Sequence, residues 1–243
     1  FFIINSLRID ICPNIMNYNV SIEEENKEIT NRYKDLLKGT YEVLSKDDKE
    51  LIRHAFDVAV EAHSGQRRKT GEPYIYHPIA VAKIVAYEIG LGATSIAAAL
   101  LHDVIEDCEV SYDTLENKFG KEVANLVDGV TKLNQVEVNP TKGENTSEAS
   151  KSLAKAATVQ KMLMSMAKDV RVVLIKLADR LHNMKTLKAL SREKQLEISQ
   201  ETLDIYAPLS HRLGIWEIKW LLEDLAFQFI NPDEYKNIAS MLN

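Results

Sequence analysis

The sequence predicts an all-α bundle. Glycine accounts for 9 and proline for 6 of 243 residues, which leaves little turn chemistry for hairpins. Apolar residues recur at three- and four-residue spacing along most of the chain, and no stretch shows convincing β-alternation or an internal repeat. Hydrophobic residues make up 45% and charged residues 27%, a balance that excludes a disordered tail and allows a sizeable core.

Residues 1–4 are apolar, but no basic region accompanies them and Asp10 interrupts the stretch, so they make a poor signal peptide. The first methionine is Met16, and residues 1–15 read as an upstream extension. Residues 21–44 are polar with scattered Ile, Tyr and Leu. They read as a weakly packed helical lead-in, so that 1–44 form a peripheral segment and 45–243 the compact domain. Ser45 stands before Asp48 and the rhythm Leu51, Ala55, Val58 and Ala62, the pattern of an N-cap. The stretch 65–77 lacks periodicity and holds Gly65, Gly71 and Pro73, a loop. Pro78 suits the first turn of a helix over 78–90. A helix is predicted over 94–107, apolar on all sides from Ile96 to Leu101 and therefore buried. Helices over 111–119 and 121–132 come next, then a mobile loop over 134–150 with only Val136, Val138 and Ala149 apolar. Helices are predicted over 151–168 and 170–190, and again over 192–242 with a break around 208–214.

Lys and Arg number 30 against 36 Asp and Glu, a net charge of −6. General nucleic-acid binding draws on excess basic charge and is excluded on that balance. A small anion held by a local basic patch or a metal is not. Cys12 and Cys108 form no CxxC pair, which points to a reducing, cytoplasmic setting without a disulfide framework. No apolar run approaches the ~18 residues of a membrane span, so no membrane partner is expected.

The chemistry concentrates in three places. His102 and Glu106, like Asp103 and Asp107, stand four apart, so each pair shares a face of the predicted helix. Carboxylates near a helix C-terminus meet the negative end of the macrodipole at ~0.3–1 kcal/mol each. Burial would cost more, and a divalent cation offsets both. Within 170–190, Val170, Leu174, Leu177, Leu181 and Met184 form an apolar seam, while Asp179, His182, Asn183 and Thr186 form a stripe of ligand-type and hydrogen-bonding groups. His77 lies in the loop just before Pro78. His77, His102, Asp103 and Asp179 supply two imidazoles and two carboxylates, a set suited to Mn²⁺, Fe²⁺ or Zn²⁺ with positions open for water. Such an ion lowers the pKa of water, and Glu106 or Asp107 can then take or give the proton. His182 reads as an orienting or core residue, and His54, His63 and His211 as structural. Arg67 reads as a solvated loop charge. Trp216 and Trp220, one turn apart, read as core more readily than as interface.

Three longer strings carry a resemblance. They are Arg-Lys-Thr-Gly-Glu-Pro-Tyr-Ile-Tyr-His-Pro over 68–78, Ala-Leu-Leu-His-Asp-Val-Ile-Glu-Asp over 99–107, and Ile-Lys-Leu-Ala-Asp-Arg-Leu-His-Asn-Met over 175–184. In order and spacing they resemble the hydrolase domain of RelA/SpoT proteins, a branch of the HD phosphohydrolase superfamily named for the dyad seen here as His102-Asp103. The resemblance covers about 46–243. It implies an HD-domain helical bundle with a central metal site that uses Mn²⁺ to remove pyrophosphate from the 3′ position of the guanosine tetra- and pentaphosphates ppGpp and pppGpp, leaving GDP or GTP. It implies His77, His102, Asp103 and Asp179 as metal ligands and Glu106 and Asp107 as the catalytic acidic pair. Arg68, Lys69, Thr70, Asn183 and Thr186 match substrate-binding positions. The chain departs from the family pattern at Thr70 (usually Ser), at Cys108 (expected Thr) and over 156–162. Two-domain relatives continue into a synthetase domain, of which no motif is present, so a synthetase domain of the same polypeptide and a second copy of the chain are the expected partners. The alternatives are another HD-type nucleotide phosphohydrolase, or a non-catalytic guanine-nucleotide-binding regulatory module.

Overall fold

The structure, a computed structural model, describes residues 14–38, 40, 44–137 and 148–242. The expectations for residues 1–13 and for 138–147 of the polar loop lie outside them. In chain order the helices are α1 (Asn14–Lys38), α2 (Lys46–Ala62), α3 (Tyr76–Tyr87), α4 (Ala93–Leu100), α5 (Val104–Asp107), α6 (Tyr112–Glu137), α7 (Glu148–Lys168), α8 (Val170–Lys185), α9 (Arg192–Glu201), α10 (Ala207–Arg212), α11 (Trp216–Ile230) and α12 (Pro232–Leu242). A 3-10 turn, Leu187–Ala189, comes after α8, and a π-helical turn, Thr202–Tyr206, joins α9 to α10. Among the described residues no strand forms, and the lone bridge pairs Arg67 with Pro73.

The centre is α4, wrapped by α2, α3 and α6. Its sequence is alanine-rich, which favours helix and lets neighbours approach closely, and Ser95 through Leu100 are all buried. α8 runs alongside, packed on α3, α6, α7 and α11, with Leu177, Leu181 and Met184 fully buried. Close approach of α6 to α8 depends on Gly129, where an added Cβ would stand 2.7 Å from Val172 Cγ2. Ser45 caps α2 as its pattern predicts: its Oγ accepts from Asp48 N–H at 3.1 Å, while the Asp48 carboxylate accepts from Ser45 N–H at 3.0 Å. The polar lead-in forms the long α1. It packs on α3 through buried Tyr33 and Leu36, and the Tyr87 hydroxyl donates to the Asp35 and Leu36 carbonyls.

Several boundaries differ from the sequence reading. The helix expected over 94–107 is broken: α4 ends at Leu100, a tight turn holds Leu101, His102 and Asp103, and α5 is a single turn. The shared-face and helix-dipole arguments for 102–107 therefore do not apply, because the dyad sits on a bend and a four-residue helix has little dipole. His77 lies within the first turn of α3, not in the loop before it. Residues 134–137 and 148–150 are helical, extending α6 and α7 into the expected loop. The two helices expected over 111–119 and 121–132 do form and meet at Gly120, whose non-helical backbone (φ 81°, ψ 167°) needs glycine's freedom, so α6 is two helices joined at a sharp kink, the second running on to Glu137. Helix 170–190 stops at Lys185. The break expected around 208–214 falls at 213–215, with Pro208 accommodated at the start of α10. Trp216 and Trp220 are 53% and 65% exposed, so they are surface and not core, and Val170 of the seam is 40% exposed at the helix start.

Candidate metal centre

Three elements of the core bring the ligand-type side chains to one point. His77 comes from the first turn of α3, His102 and Asp103 from the bend after α4, and Asp179 from the third turn of α8. All four are buried. One ligand atom each from His77, His102 and Asp179 falls within a 4.8 Å group. Asp103 joins them, its Oδ2 lying 3.1 Å from His102 Nε2 and 3.5 Å from His77 Nε2. His77 Nε2 is 3.2 Å and His102 Nε2 3.9 Å from Asp179 Oδ1.

The hydrogen-bond network assigns the imidazole tautomers. His102 Nδ1 lies 2.8 Å from the Ala99 carbonyl, which can only accept, so Nδ1 carries the proton and Nε2 faces the cluster. His102 Nε2 is buried without a hydrogen-bond partner; Asp103 Oδ2 is near it but out of line. His182 Nδ1 receives Arg68 Nη1 at 3.2 Å and His77 Nδ1 at 2.7 Å. An arginine is always a donor, so His182 Nδ1 accepts, His77 Nδ1–H donates, and His77 Nε2 also turns its lone pair inward. Burial, with the Arg68 charge beside it, pushes the His182 pKa down to about 3, which suits that neutral acceptor role. With both Nδ1 atoms engaged outward, two imidazole Nε2 atoms thus face two carboxylate oxygens in a buried space. That arrangement is unfavourable unless a positive charge sits among them, a proton on His102 Nε2 or a divalent cation, and it offers a cation two imidazole and two carboxylate donors.

The electrostatics agree. Burial opposes charge on every member, yet Lys176 and the imidazoles hold Asp179 well below the usual carboxylate range, and His102 holds Asp103 low. Against its own burial, His102 is raised to about 9 by the Asp103 carboxylate, while burial lowers His77. Asp179 is gripped from both sides: Lys176 Nζ donates to Oδ2 at 3.0 Å and Asn183 Nδ2 to Oδ1 at 2.7 Å.

Beside the cluster opens a cleft of about 220 Å³, its walls including Arg68, Tyr74, Glu106, Asp107, Asn134 and Lys176. Glu106 accepts from Asn134 Nδ2 at 2.9 Å, and burial raises its carboxyl pKa. Asp107 accepts from the Tyr74 hydroxyl at 2.9 Å. Arg68 lines the cleft but turns inward, donating also to Asn183 Oδ1 at 2.8 Å. Asn183 thus sits at the site, bridging Arg68 to Asp179. Lys69 and Thr70 are exposed at the tip of the 67–73 turn and do not line this cleft. Thr186 caps the end of α8, its hydroxyl donating to the His182 carbonyl at 3.2 Å. Arg67 pairs bidentately with Glu25 of α1.

Sequence reasoning did not single out Tyr74 or Asn134, and weighed Lys176 only as a helix-surface partner of Asp179. Tyr74 and Lys176 both lie within the quoted strings, and a lysine in the apolar run of α8 was a usable signal, because a buried lysine needs a carboxylate partner.

The family model described as HD domain matches residues 55–216, and the chain belongs to that family. A protein of Synechocystis (strain PCC 6803) named as a probable guanosine-3′,5′-bis(diphosphate) 3′-pyrophosphohydrolase is 49% identical over 192 residues, covering 79% of this chain and 24% of the relative. The bifunctional (p)ppGpp synthase/hydrolase SpoT of Escherichia coli K12 is 47% identical over 199 residues, covering 82% of this chain and 27% of the relative. The chain thus spans about a quarter of the length of these curated relatives. A solved structure described as a metazoan ortholog of SpoT that hydrolyzes ppGpp matches with a TM-score of 0.53 at 24% identity, covering 76% of this chain and 96% of that one. At that identity it establishes the shared helical fold. Among the described residues no helix is long and apolar enough to cross a membrane.

Proposed function

We propose that this chain is a Mn²⁺-dependent hydrolase that removes the 3′-pyrophosphate of ppGpp and pppGpp. The carrying observation is the inward convergence of His77 and His102 Nε2 on Asp103 and Asp179 beside an open, charged cleft. The names of the relatives support the substrate, and the mixed N/O donor set suits Mn²⁺ among divalent ions. When bound, the cation supplies Lewis acidity and makes water a better nucleophile.

The chain's own residues would do the rest. His77, His102, Asp103 and Asp179 hold the cation, with Lys176 and Asn183 fixing Asp179. Water attacks the 3′ α-phosphorus, the bond from phosphorus to the ribose 3′-oxygen breaks, and that oxygen takes a proton. Asp107, tied to the cluster through Tyr74, orients the water and accepts its proton. Glu106, held by Asn134 at the cleft wall, handles the proton for the leaving oxygen. Arg68, Lys69, Thr70, Asn183 and Thr186 remain the proposed nucleotide-binding set; Lys69 and Thr70 would reach the nucleotide from the turn tip. A nucleotide substrate fits a cytoplasmic setting. A synthetase domain of the same polypeptide is the proposed partner, in keeping with the bifunctional E. coli relative, and a second copy of the chain is a further one.

A substrate panel with Mn²⁺ tests this reading. Turnover of ppGpp and pppGpp but not of GTP or GDP is the expected result. Equal turnover of nucleotides lacking a 3′-diphosphate would instead make the chain a general HD phosphohydrolase, and tight binding without turnover a regulatory module.

A further inference from the structure

The loop that leads into α3 carries a side chain, Tyr74, whose part in the function above goes beyond a passive link. Tyr74 is fixed by its backbone: its N–H donates to the Gln66 carbonyl at 2.9 Å, and its carbonyl accepts from His77 N–H at 2.9 Å. Its ring stacks on His63 at 4.6 Å between centroids and meets the edge of His77 at 5.9 Å. His63 is itself buried and held by Gln66, whose Nε2 donates to the Asp107 carbonyl at 3.2 Å. The ring therefore has little freedom, and its hydroxyl stands 2.8 Å from Asp103 Oδ2 and 2.9 Å from Asp107 Oδ2.

We infer that Tyr74 is a positioning residue, whose hydroxyl ties Asp107 to the ligand Asp103 and so sets where Asp107 stands beside the reacting water. The inference rests on the hydrolase reading for its effect on turnover, though not for its effect on the cation site. A phenol has one proton and two carboxylate oxygens to serve. The hydroxyl reaches both carboxylates, and the aromatic body behind it has no comparable link to Glu106.

The test is Tyr74→Phe, alone and combined with Asp107→Ala, using the whole chain. Phenylalanine keeps the stack on His63, so the circular dichroism spectrum should be retained. The expected result with ppGpp is a kcat lower by about 10–100-fold, the usual effect of losing a partner that orients ligands, with KM nearly unchanged. In the Asp107→Ala background the same change should cost less than about twofold, because its target is gone. A full multiplicative loss in that background would overturn the inference, as would an unchanged kcat. A second arm needs no substrate: Mn²⁺ titrated calorimetrically should bind about tenfold more weakly to Tyr74→Phe, since Asp103 loses its donor. If the unaltered protein fails to turn over ppGpp, the hydrolase reading falls and this arm alone decides, with unchanged Mn²⁺ affinity overturning the role of Tyr74.

Discussion

Asp179 accepts from Lys176 on one oxygen and Asn183 on the other, and still presents Oδ1 to His77. A buried carboxylate with two donors and an imidazole in front of it has the surroundings that a cation ligand needs. The same logic makes Asp103 a residue whose removal should spare the fold. Asp103→Ala deletes a buried negative charge while Tyr74 keeps Asp107 as an acceptor. Its expected effect is a loss of Mn²⁺ affinity beyond the ~100-fold that outer partners cost, with helical content unchanged. Calorimetric titration beside circular dichroism checks both halves. The ligand-type residues were legible in the sequence because His102, Asp103 and Asp179 interrupt strongly apolar runs. Tyr74 was not, since a tyrosine in a loop of ordinary composition announces nothing until its hydroxyl is seen between two carboxylates. Thr186, at the end of the same polar stripe, donates its hydroxyl to the His182 carbonyl, a bond that the stripe's spacing did not announce.

At the scale of elements, the crossing of α6 and α8 holds Asp179 in place. Gly129→Ala puts a Cβ 2.7 Å from Val172 Cγ2 and 3.1 Å from Cγ1. Val172 is buried and stiff at χ1, so it cannot give way. Overpacking of about 1–3 kcal/mol outweighs the ~1 kcal/mol gained in helix propensity, and a net loss near 1 kcal/mol is expected in urea denaturation. The start of α8 offers a pH test. Asp169 caps it by accepting from Arg171 N–H at 2.9 Å and from the Arg171 guanidinium. Hydrogen bonds from Arg171 lower the Asp169 pKa, with burial opposing. A carboxyl lowered on folding contributes stability above its unfolded pKa, and that stability is lost as pH falls through the folded one. Asp169→Asn keeps the cap but loses the charge. It should cost roughly 0.5–1 kcal/mol at pH 7, modest because both partners touch water, and the difference should close below the ordinary carboxylate range. Helix existence was legible from periodicity throughout. The break at 101–103 was not, because Leu-Leu-His-Asp contains no glycine or proline and the bend is imposed by packing around α4. The exposure of Trp216 and Trp220 was equally invisible, since residue type cannot say which face of α11 is covered.

For the whole molecule, a net charge of −6 is at first sight a poor match to a phosphate-rich ligand. The fold resolves the mismatch locally. Arg68 and Lys176 stand at one cleft, but Asp103, Glu106, Asp107 and Asp179 share it, so the match to a phosphate-rich ligand falls to the divalent cation that this donor set would take. The all-α class was legible from scarce glycine and proline alone, and the HD-domain match over 55–216 agrees with it. The most direct test of the account strips the chain of metal with a chelator, supplies ppGpp, and measures GDP and pyrophosphate before and after Mn²⁺ is restored. The account predicts no product without metal, then GDP and pyrophosphate in equal amounts once Mn²⁺ is present. Bound Mn²⁺ with intact ppGpp, or phosphate released in place of pyrophosphate, would contradict it.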